Sequence, residues 1–234
     1  MDKSFLKGVR HGVPIALGYL SVSFAFGIQA VSLSLSPMQA VLISLCNVTS
    51  AGQLAGITLM SEGASLMQMA LAQLTINLRY ALMSLSISQK LDGGMNTLRR
   101  MLFAFCNTDE IFAVASAQPG KVGHRYLYGL MLMPYFGWAL GTLLGAVAGQ
   151  LLPLFFRTAL GIAIYGMFIA IVIPPARERR PVRVVALTAA ALSLALRYVP
   201  FLNRIGSGYA IMICAVAASC LGAALFPIDE EAGQ

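Results

Sequence analysis

Charged side chains are scarce in this sequence. Asp, Glu, Lys and Arg make up 11% of its 234 residues, whereas 58% of the residues are hydrophobic. A soluble domain carries about 25% charged residues because its surface faces water. Together with a mean hydropathy of +0.78, the low share excludes a soluble globular domain and indicates that much of the surface faces lipid.

Residues that commonly carry chemistry are also few. The two histidines, His11 and His124, stand beside basic residues, and the four cysteines lie inside apolar segments. The sequence has no His/Cys cluster with metal-ligand spacing, no serine–histidine nucleophile pattern and no Walker-type phosphate loop. We therefore expect no metal, no cofactor and no enzymatic activity, and we expect the cysteines to be small packing residues.

The net charge of +7 is distributed in short basic clusters between apolar runs. The clusters are Lys3, Lys7 and Arg10; Lys90, Arg99 and Arg100; Lys121 and Arg125; and Arg177, Arg179, Arg180 and Arg183. This pattern is typical of the cytoplasmic loops that orient a membrane protein. It argues against nucleic acid as a partner and predicts a cytoplasmic N-terminus.

Six apolar runs predict ordinary spanning helices, and several exceed the roughly 18 residues that cross a bilayer. The first follows basic residues, as in a signal peptide, but it is too long to be a cleaved signal. We predict an all-α, polytopic integral membrane helix bundle with six to eight spans in a single transmembrane domain, residues 1–234. The predicted helices cover residues 13–32, 66–88, 126–151, 154–173, 182–196 and 209–226.

Two further apolar segments, residues 38–60 and 98–117, are polar at their centres. Irregular or charged backbone at membrane depth survives only inside protein or beside a water-filled cavity. Each segment is therefore either a broken spanning helix or a re-entrant segment that returns to its starting side. Two returning segments obey the positive-inside rule better, because they leave few basic residues on the far side: Arg157, Arg197 and Arg204.

A glycine run in the segment 126–151 predicts close helix packing. Gly137, Gly141, Gly145 and Gly149 are each four residues apart, so they form one smooth face on a helix. Packing within the same chain is the preferred interpretation, and contact with a second subunit is the alternative.

The first polar island, in segment 38–60, contains Asn47, Ser50, Gly52 and Gln53. Small residues there let the helix open, and an opened helix offers N–H groups to a carboxylate and carbonyl groups to an ammonium. This suits a zwitterion. The alternative is that these side chains only join helices by hydrogen bonds.

The second island contains Asn77, Arg79 and Tyr80, with Gln73 and Ser84 on the same helical stripe. An arginine this deep in an apolar span costs a few kcal/mol unless it is paired. Arg79 either holds a substrate carboxylate with its planar guanidinium or forms a structural ion pair with an internal carboxylate.

The third island contains Thr108, Asp109 and Glu110. Its two acids are the carboxylates that lie deep in an apolar segment, so Arg79 is their obvious partner. A carboxylate that changes partner during transport can also take up a proton. We predict either an ion pair or a proton-coupling role for Asp109 and Glu110.

These islands resemble the AzlC family in order and content. The resemblance rests on Pro14, on the segment from Gly18 to Gly27, and on three short motifs: Ser50-Ala51-Gly52-Gln53, Asn77-Leu78-Arg79-Tyr80 and Thr108-Asp109-Glu110. It covers most of the first 120 residues. The later part is similar in hydropathy, in Trp138 with its glycine run, and in Pro174-Pro175.

The resemblance implies the large subunit of a two-component exporter in the bacterial inner membrane. Its substrates would be leucine, isoleucine and valine, with methionine as a further one, and the proton gradient would drive export. It also implies a small AzlD-like membrane subunit as partner. Two alternatives remain from the residues: a channel or uptake carrier for another small polar solute, and a membrane-embedded enzyme.

Overall fold

A computed structural model describes residues 3–153, 155–156, 166, 169 and 172–227. Apart from a single β-bridge between Leu91 and Val122, the regular elements in these residues are helices. The predicted all-α membrane fold is confirmed. The predicted helix 154–173 falls almost wholly outside the described residues.

The described residues contain nine α-helices for which both ends are given, and one short 3-10 helix at Leu202–Arg204. They are α1 (Lys3–Ser32), α2 (Pro37–Cys46), α3 (Ser50–Ser61), α4 (Leu66–Ser88), α5 (Thr97–Phe105), α6 (Asp109–Ser116), α7 (His124–Leu151), α8 (Arg180–Tyr198) and α9 (Ser207–Leu225).

Four of the described helices are long and apolar enough to cross a membrane: α1, α7, α8 and α9. They coincide with four of the predicted spans. α4 has 23 residues, which is long enough to cross, but the polar side chains of the second island lower its hydropathy. Its membrane crossing stays a prediction.

The contacts divide the chain into two compact units. One contains Met1–Ile57 and Asn77–Ile164, and the other contains Thr58–Ile76 and Tyr165–Gln234. The prediction of one transmembrane domain is not tested by this grouping.

Side chains at the helix starts explain where several helices begin. In the first unit, the Ser36 hydroxyl accepts a hydrogen bond from the backbone N–H of Gln39 at 3.2 Å, and the Gln39 side chain accepts from the Ser36 N–H at 2.8 Å. This reciprocal capping box satisfies two otherwise unpaired donors. Asn96 caps α5 in a similar way, by accepting from the Arg99 N–H at 2.9 Å.

The close packing of α1 and α7 forms the centre of the first unit. A Cβ atom on Gly8 would lie 2.1 Å from the Tyr126 carbonyl oxygen, and one on Gly27 would lie 2.3 Å from that of Thr142. Contacting residue numbers rise together along both helices, so the helices run parallel. Such a short separation leaves no room for side chains between the two backbones.

The glycine run of α7 packs against α1, which confirms the interpretation that it packs within the chain. A Cβ atom on Gly145 would lie 1.9 Å from the Phe24 carbonyl oxygen, and one on Gly141 would lie 2.1 Å from the Ser23 hydroxyl oxygen.

Segment 38–60 forms a helical hairpin. α2 begins just beyond the end of α1, and the chain reaches the middle of α1 where Val48 packs in one cluster with Tyr19. α3 then runs back, because Ile57 belongs to the same buried cluster as Ala40 near the start of α2. The two half-helices therefore return to the end of the unit from which α2 started.

Segment 98–117 forms a second hairpin from the opposite end. α5 begins soon after Lys90 and runs to the middle of α1, where Thr108 contacts the Tyr19 hydroxyl. α6 then returns, and the carbonyl of Ser116 at its end accepts a hydrogen bond from the Lys90 side chain. Both hairpins thus reach the same central level from opposite directions.

The two ends of this unit differ in charge. We call the end where α1 and α7 begin the basic end, and the opposite end, at the turn of residues 33–36, the neutral end. That turn has no Lys or Arg. The part of α4 from Asn77 onward runs towards the basic end, where Ile87 shares a cluster with Tyr126. The basic end carries Lys3, Lys7, Arg10, Lys90, Arg99, Arg100, Lys121 and Arg125.

In the second unit, α8 packs against α9, and a Cβ atom on Gly222 would lie 2.5 Å from the Val185 side chain. The Ser207 hydroxyl at the start of α9 donates to the Glu62 carboxylate. Within the described residues, both helices expose most of their apolar surface, as expected of helices that face lipid.

The glycine packing predicts a steep cost for one methyl group. Gly145→Ala should destabilise the protein by about 1–3 kcal/mol, because its Cβ would overlap backbone and not a mobile side chain. Gly18→Ala is the matched control, since no heavy atom lies within 4 Å of a Cβ there. It should be neutral or slightly stabilising, because alanine favours helix over glycine. Thermal unfolding in detergent measures both, and equal midpoints would contradict the packing.

The hairpin arrangement predicts which positions share a side of the membrane. In a variant without native cysteines, Gly93→Cys and Ala117→Cys flank the second hairpin, and Ser34→Cys marks the neutral end. A membrane-impermeant maleimide applied to intact cells should treat Gly93→Cys and Ala117→Cys alike and Ser34→Cys oppositely. Opposite labelling of the first two would mean that segment 98–117 crosses the membrane.

Candidate functional site

Two breaks between half-helices meet near the centre of the first unit. The first break, residues 47–49, separates α2 from α3, and the second break, residues 106–108, separates α5 from α6. A helix end leaves backbone groups without intrahelical partners and carries a partial charge, positive at its start and negative at its end. The centre of the unit therefore contains four helix ends.

At the first break, protein side chains bind the carbonyl groups near the end of α2. The Tyr135 hydroxyl donates to the Leu45 carbonyl at 3.0 Å, and the Gln53 side-chain amide donates to the Asn47 carbonyl. The Gln53 oxygen accepts from the Trp138 indole N–H at 3.2 Å. Gln53, predicted from the sequence as a ligand, is buried and joins α2, α3 and α7.

The start of α3 offers backbone N–H groups. Thr49 precedes the helix, and its hydroxyl accepts from the Gly52 N–H at 3.3 Å and donates to the Asn77 side-chain oxygen at 3.1 Å. The N–H groups of Ser50 and Ala51 stand in the first turn, where a helix supplies no acceptor of its own.

The position of the first break differs slightly from the expectation that the small residues from Ser50 onward open the helix. Gly52 lies inside α3, and the chain opens at residues 47–49. The side chains of Asn47 and Thr49 belong to types that compete with the helix for backbone hydrogen bonds, and Asn47 has extended backbone angles of φ −145° and ψ 96°. Gly52 is buried and allows close packing.

The second break places two acids at the start of α6. Asp109 and Glu110 occupy its first turn, where the positive end of the helix favours negative charge. The Tyr19 hydroxyl lies 2.5 Å from both the Glu110 carboxylate and the Thr108 hydroxyl. A phenol has one proton, so when Tyr19 donates to the carboxylate, the Thr108 hydroxyl donates to Tyr19.

Arg79 and Asp109 are brought together as an ion pair. Nη1 of Arg79 lies 2.7 Å from Oδ2 of Asp109, and the two side chains are 47% and 44% exposed. The guanidinium also lies 4.9 Å from the centre of the Tyr80 ring and donates to the Tyr80 hydroxyl at 3.1 Å. At membrane depth, charges that the chain leaves half exposed must face a water-filled space or other protein.

Asn107 is a site residue that sequence reasoning missed. It is 3% exposed, and its Nδ2 donates to the Ser84 hydroxyl at 3.3 Å. Within the part of the chain that the structure describes, its Oδ1 has no hydrogen-bond partner. A buried acceptor without a partner costs about 1–3 kcal/mol, so its presence in a folded protein calls for an explanation. The feature of the sequence that could have identified Asn107 is its position in the polar centre of segment 98–117.

Two helices join the breaks to each other. On α1, Tyr19 reaches the second break with its hydroxyl, while its ring lies 5.1 Å from the Trp138 ring and packs with Val48 of the first break. On α4, Asn77 contacts the first break, and Arg79 contacts the second. Gln73 falls in the second unit and Asn77 in the first.

The two breaks have complementary chemistry. The first break, residues 47–49, leads to the start of α3 and its N–H groups without a charged side chain, whereas the second break, residues 106–108, contains the Asn107 amide oxygen and is followed at once by the carboxylates of Asp109 and Glu110. A small molecule with one negative and one positive group matches this pair. Among the described residues, no group of three His, Cys, Asp or Glu side chains is placed to hold a metal ion.

The ion pair predicts non-additive effects on stability. Arg79→Gln and Asp109→Asn should each lower the thermal unfolding midpoint, because each leaves one charge at membrane depth without its partner. The double variant should recover part of the loss, with a coupling of about 1 kcal/mol for a half-exposed pair. Arg204→Gln, on the short helix Leu202–Arg204, is the control. Additive losses would show that the two charges do not stabilise each other.

The sequence matches the family described as "AzlC protein" over residues 14–152, which contain both breaks and the helices that join them. No solved structure matches the chain.

Curated relatives are membrane proteins of similar length. An uncharacterised membrane protein of Archaeoglobus fulgidus is 36% identical over 82% of this chain and 85% of its own. "Inner membrane protein YgaZ" of Escherichia coli (strain K12) is 27% identical over 81% of this chain and 80% of its own. An uncharacterised membrane protein of Helicobacter pylori is 32% identical over 63% of this chain and 65% of its own.

Proposed function

The chain belongs to the AzlC family, and we propose that it is the large subunit of an exporter of branched-chain amino acids. That it is a membrane protein with a transport-related role follows from the family and from the apolar helices. The substrate, the direction, the driving force and the partner are our proposal.

The observation that supports this proposal most is the meeting of two oppositely directed helix breaks at one level. Transporters place substrates where broken helices meet near the bilayer midplane. Here the start of α3 offers N–H groups to the α-carboxylate, through Ser50 and its neighbours. The second break offers acceptors to the α-ammonium. A zwitterionic amino acid thus spans the two breaks.

The polar residues around these breaks form the substrate site in this proposal. The apolar side chain of the substrate packs against the aromatic cluster of Tyr19 and Trp138 and against Val48, which favours leucine, isoleucine and valine and also accommodates methionine. The proposed binding residues are Asn47, Ser50, Asn77, Arg79 and Tyr80, and the buried residues Gly52 and Gln53 shape the first break through their contacts within the protein.

Proton coupling involves the two carboxylates of the second break. Asp109 is paired with Arg79, and Glu110 accepts from Tyr19. When the substrate carboxylate attracts the Arg79 guanidinium, Asp109 loses its partner and binds a proton, since an unpaired carboxylate at membrane depth is less costly when neutral.

The charge difference between the two ends supports an orientation. The basic end faces the cytoplasm, since basic loops stay on the cytoplasmic side, and the N-terminus lies there. In this orientation the first hairpin enters from the outer side of the inner membrane and the second enters from the cytoplasm.

A small AzlD-like membrane subunit is the proposed partner. The apolar faces that α8 and α9 leave largely exposed are surfaces that such a subunit would cover in place of lipid. We propose no enzymatic activity.

Leucine export tests the proposal. Cells that express this chain with its small neighbour should contain several-fold less internal leucine, after loading with a leucine dipeptide, than cells with either gene alone or neither. Unchanged internal leucine in all strains would contradict the substrate. Counterflow of leucine in liposomes separates a carrier from a channel.

Proton coupling predicts that Asp109→Asn loses at least about 10-fold in leucine efflux driven by a proton gradient. Asp92→Asn is the matched control, because Asp92 lies in the loop before α5, where its carboxylate caps the Gly94 N–H at 3.1 Å. It should export normally. Normal gradient-driven export by Asp109→Asn would contradict the coupling role.

A further inference from the structure

We propose that the side-chain oxygen of Asn107 binds the α-ammonium group of the substrate and makes the site selective for amino acids. This inference rests on the proposed function, because it concerns the substrate site of that exporter. Asn107 is 3% exposed, and its Oδ1 has no hydrogen-bond partner among the described residues. Buried amide oxygens in native proteins nearly always have a donor.

The free atom can only accept a hydrogen bond. The amide nitrogen of Asn107 donates to the Ser84 hydroxyl, at 3.3 Å, and in this arrangement the amide oxygen is the atom without a partner. An amide oxygen is an acceptor without a proton. The ligand group that completes it must therefore be a donor, such as an ammonium, and not a carboxylate.

The surroundings of Asn107 favour a positive group. The residue follows the end of α5, where the helix carries a partial negative charge, and it precedes Thr108, Asp109 and Glu110. The positive groups nearby, the start of α6 and the Arg79 guanidinium, already face the Asp109 and Glu110 carboxylates, so an ammonium is better placed beside Asn107 than a further carboxylate. The substrate is thereby oriented, with its carboxylate towards the start of α3.

The neighbouring acids already have donors from the protein. The Asp109 carboxylate forms an ion pair with the Arg79 guanidinium, and the Glu110 carboxylate accepts a hydrogen bond from the Tyr19 hydroxyl. A neutral amide binds an ammonium without forming a second full ion pair, so the substrate can leave again when the hairpins move. Asn107 therefore recognises the ammonium, while the acids remain available for proton coupling.

The burial of Asn107 makes this recognition selective. A site with a buried polar group discriminates strongly against an analogue that leaves the group unpaired. 4-Methylpentanoate has the side chain and carboxylate of leucine but no ammonium. The protein should therefore bind leucine much more tightly than 4-methylpentanoate, and Asn107 should provide much of that preference.

Competition binding tests the inference. The full chain, with its small partner, is placed in lipid nanodiscs with radiolabelled leucine, and unlabelled leucine and 4-methylpentanoate compete. Asn107→Leu should lower the affinity for leucine by about 10- to 100-fold, because one hydrogen bond to a charged group is lost. The affinity for 4-methylpentanoate should change by less than about threefold. Asn107→Asp keeps an acceptor in the same shape and should keep the preference. Asn203→Leu, at an exposed position, is the matched control.

Each outcome of the competition assay either supports the role of Asn107 or contradicts it. A reduced ratio of the two affinities in Asn107→Leu, with the ratio kept in Asn107→Asp, supports ammonium recognition. An unchanged ratio, including equal weakening of both ligands, overturns it, because Asn107 would then be structural. If the wild-type protein does not bind leucine, the proposed function fails. If the wild type binds leucine and Asn107→Leu binds it equally well, only this inference fails.

Discussion

The contact between the backbones of α1 and α7 is the constraint on which the first unit depends. Two helices with side chains between them lie 8–10 Å apart, and a bilayer provides no hydrophobic force to bring them closer. Glycines on both helices remove the intervening atoms, so dispersion contacts along their whole length hold them together. This fixes Tyr19 of α1 against Trp138 of α7. Val48 of the first hairpin packs in one cluster with both rings, and Thr108 of the second hairpin contacts the Tyr19 hydroxyl.

The polar centre of this unit is tolerable in a membrane because protein surrounds it on several sides. Each hairpin leaves helix ends near the middle of α1, and a backbone group without a partner inside a bilayer costs several kcal/mol. Tyr135 and Gln53 satisfy carbonyls of the first break, and Thr49 satisfies an N–H group. What the protein leaves without a partner is therefore informative. The amide oxygen of Asn107 has this status among the described residues.

The sequence predicted the regular parts of the fold well, because long apolar runs have one stable solution in a bilayer. The predicted helix 66–88 has the bounds observed for α4, and the prediction for 126–151 starts two residues after α7. Charge counting favoured returning segments for 38–60 and 98–117, and the contacts of Ile57 and Ser116 agree.

The site was harder to derive from the sequence, because its roles depend on which partner each side chain meets. From the sequence, Arg79 could pair with either Asp109 or Glu110. In the structure Arg79 forms an ion pair with Asp109, and the Tyr19 hydroxyl donates a hydrogen bond to Glu110. Gln53 was predicted as a ligand, but its amide is used by α2 and α7. The importance of Asn107 depends on an absent partner in space, which no spacing along the chain reveals.

The opposite directions of the two hairpins have a further consequence. Within the first unit, α1 followed by its hairpin and the part of α4 from Asn77 onward followed by its hairpin have the same order of elements and run in opposite directions. Two halves related in this way can exchange conformations. The exchange converts a state that is open to one side of the membrane into a state of similar free energy that is open to the other side. In the proposed exporter, this exchange would present the proposed substrate site alternately to the cytoplasm and to the outside.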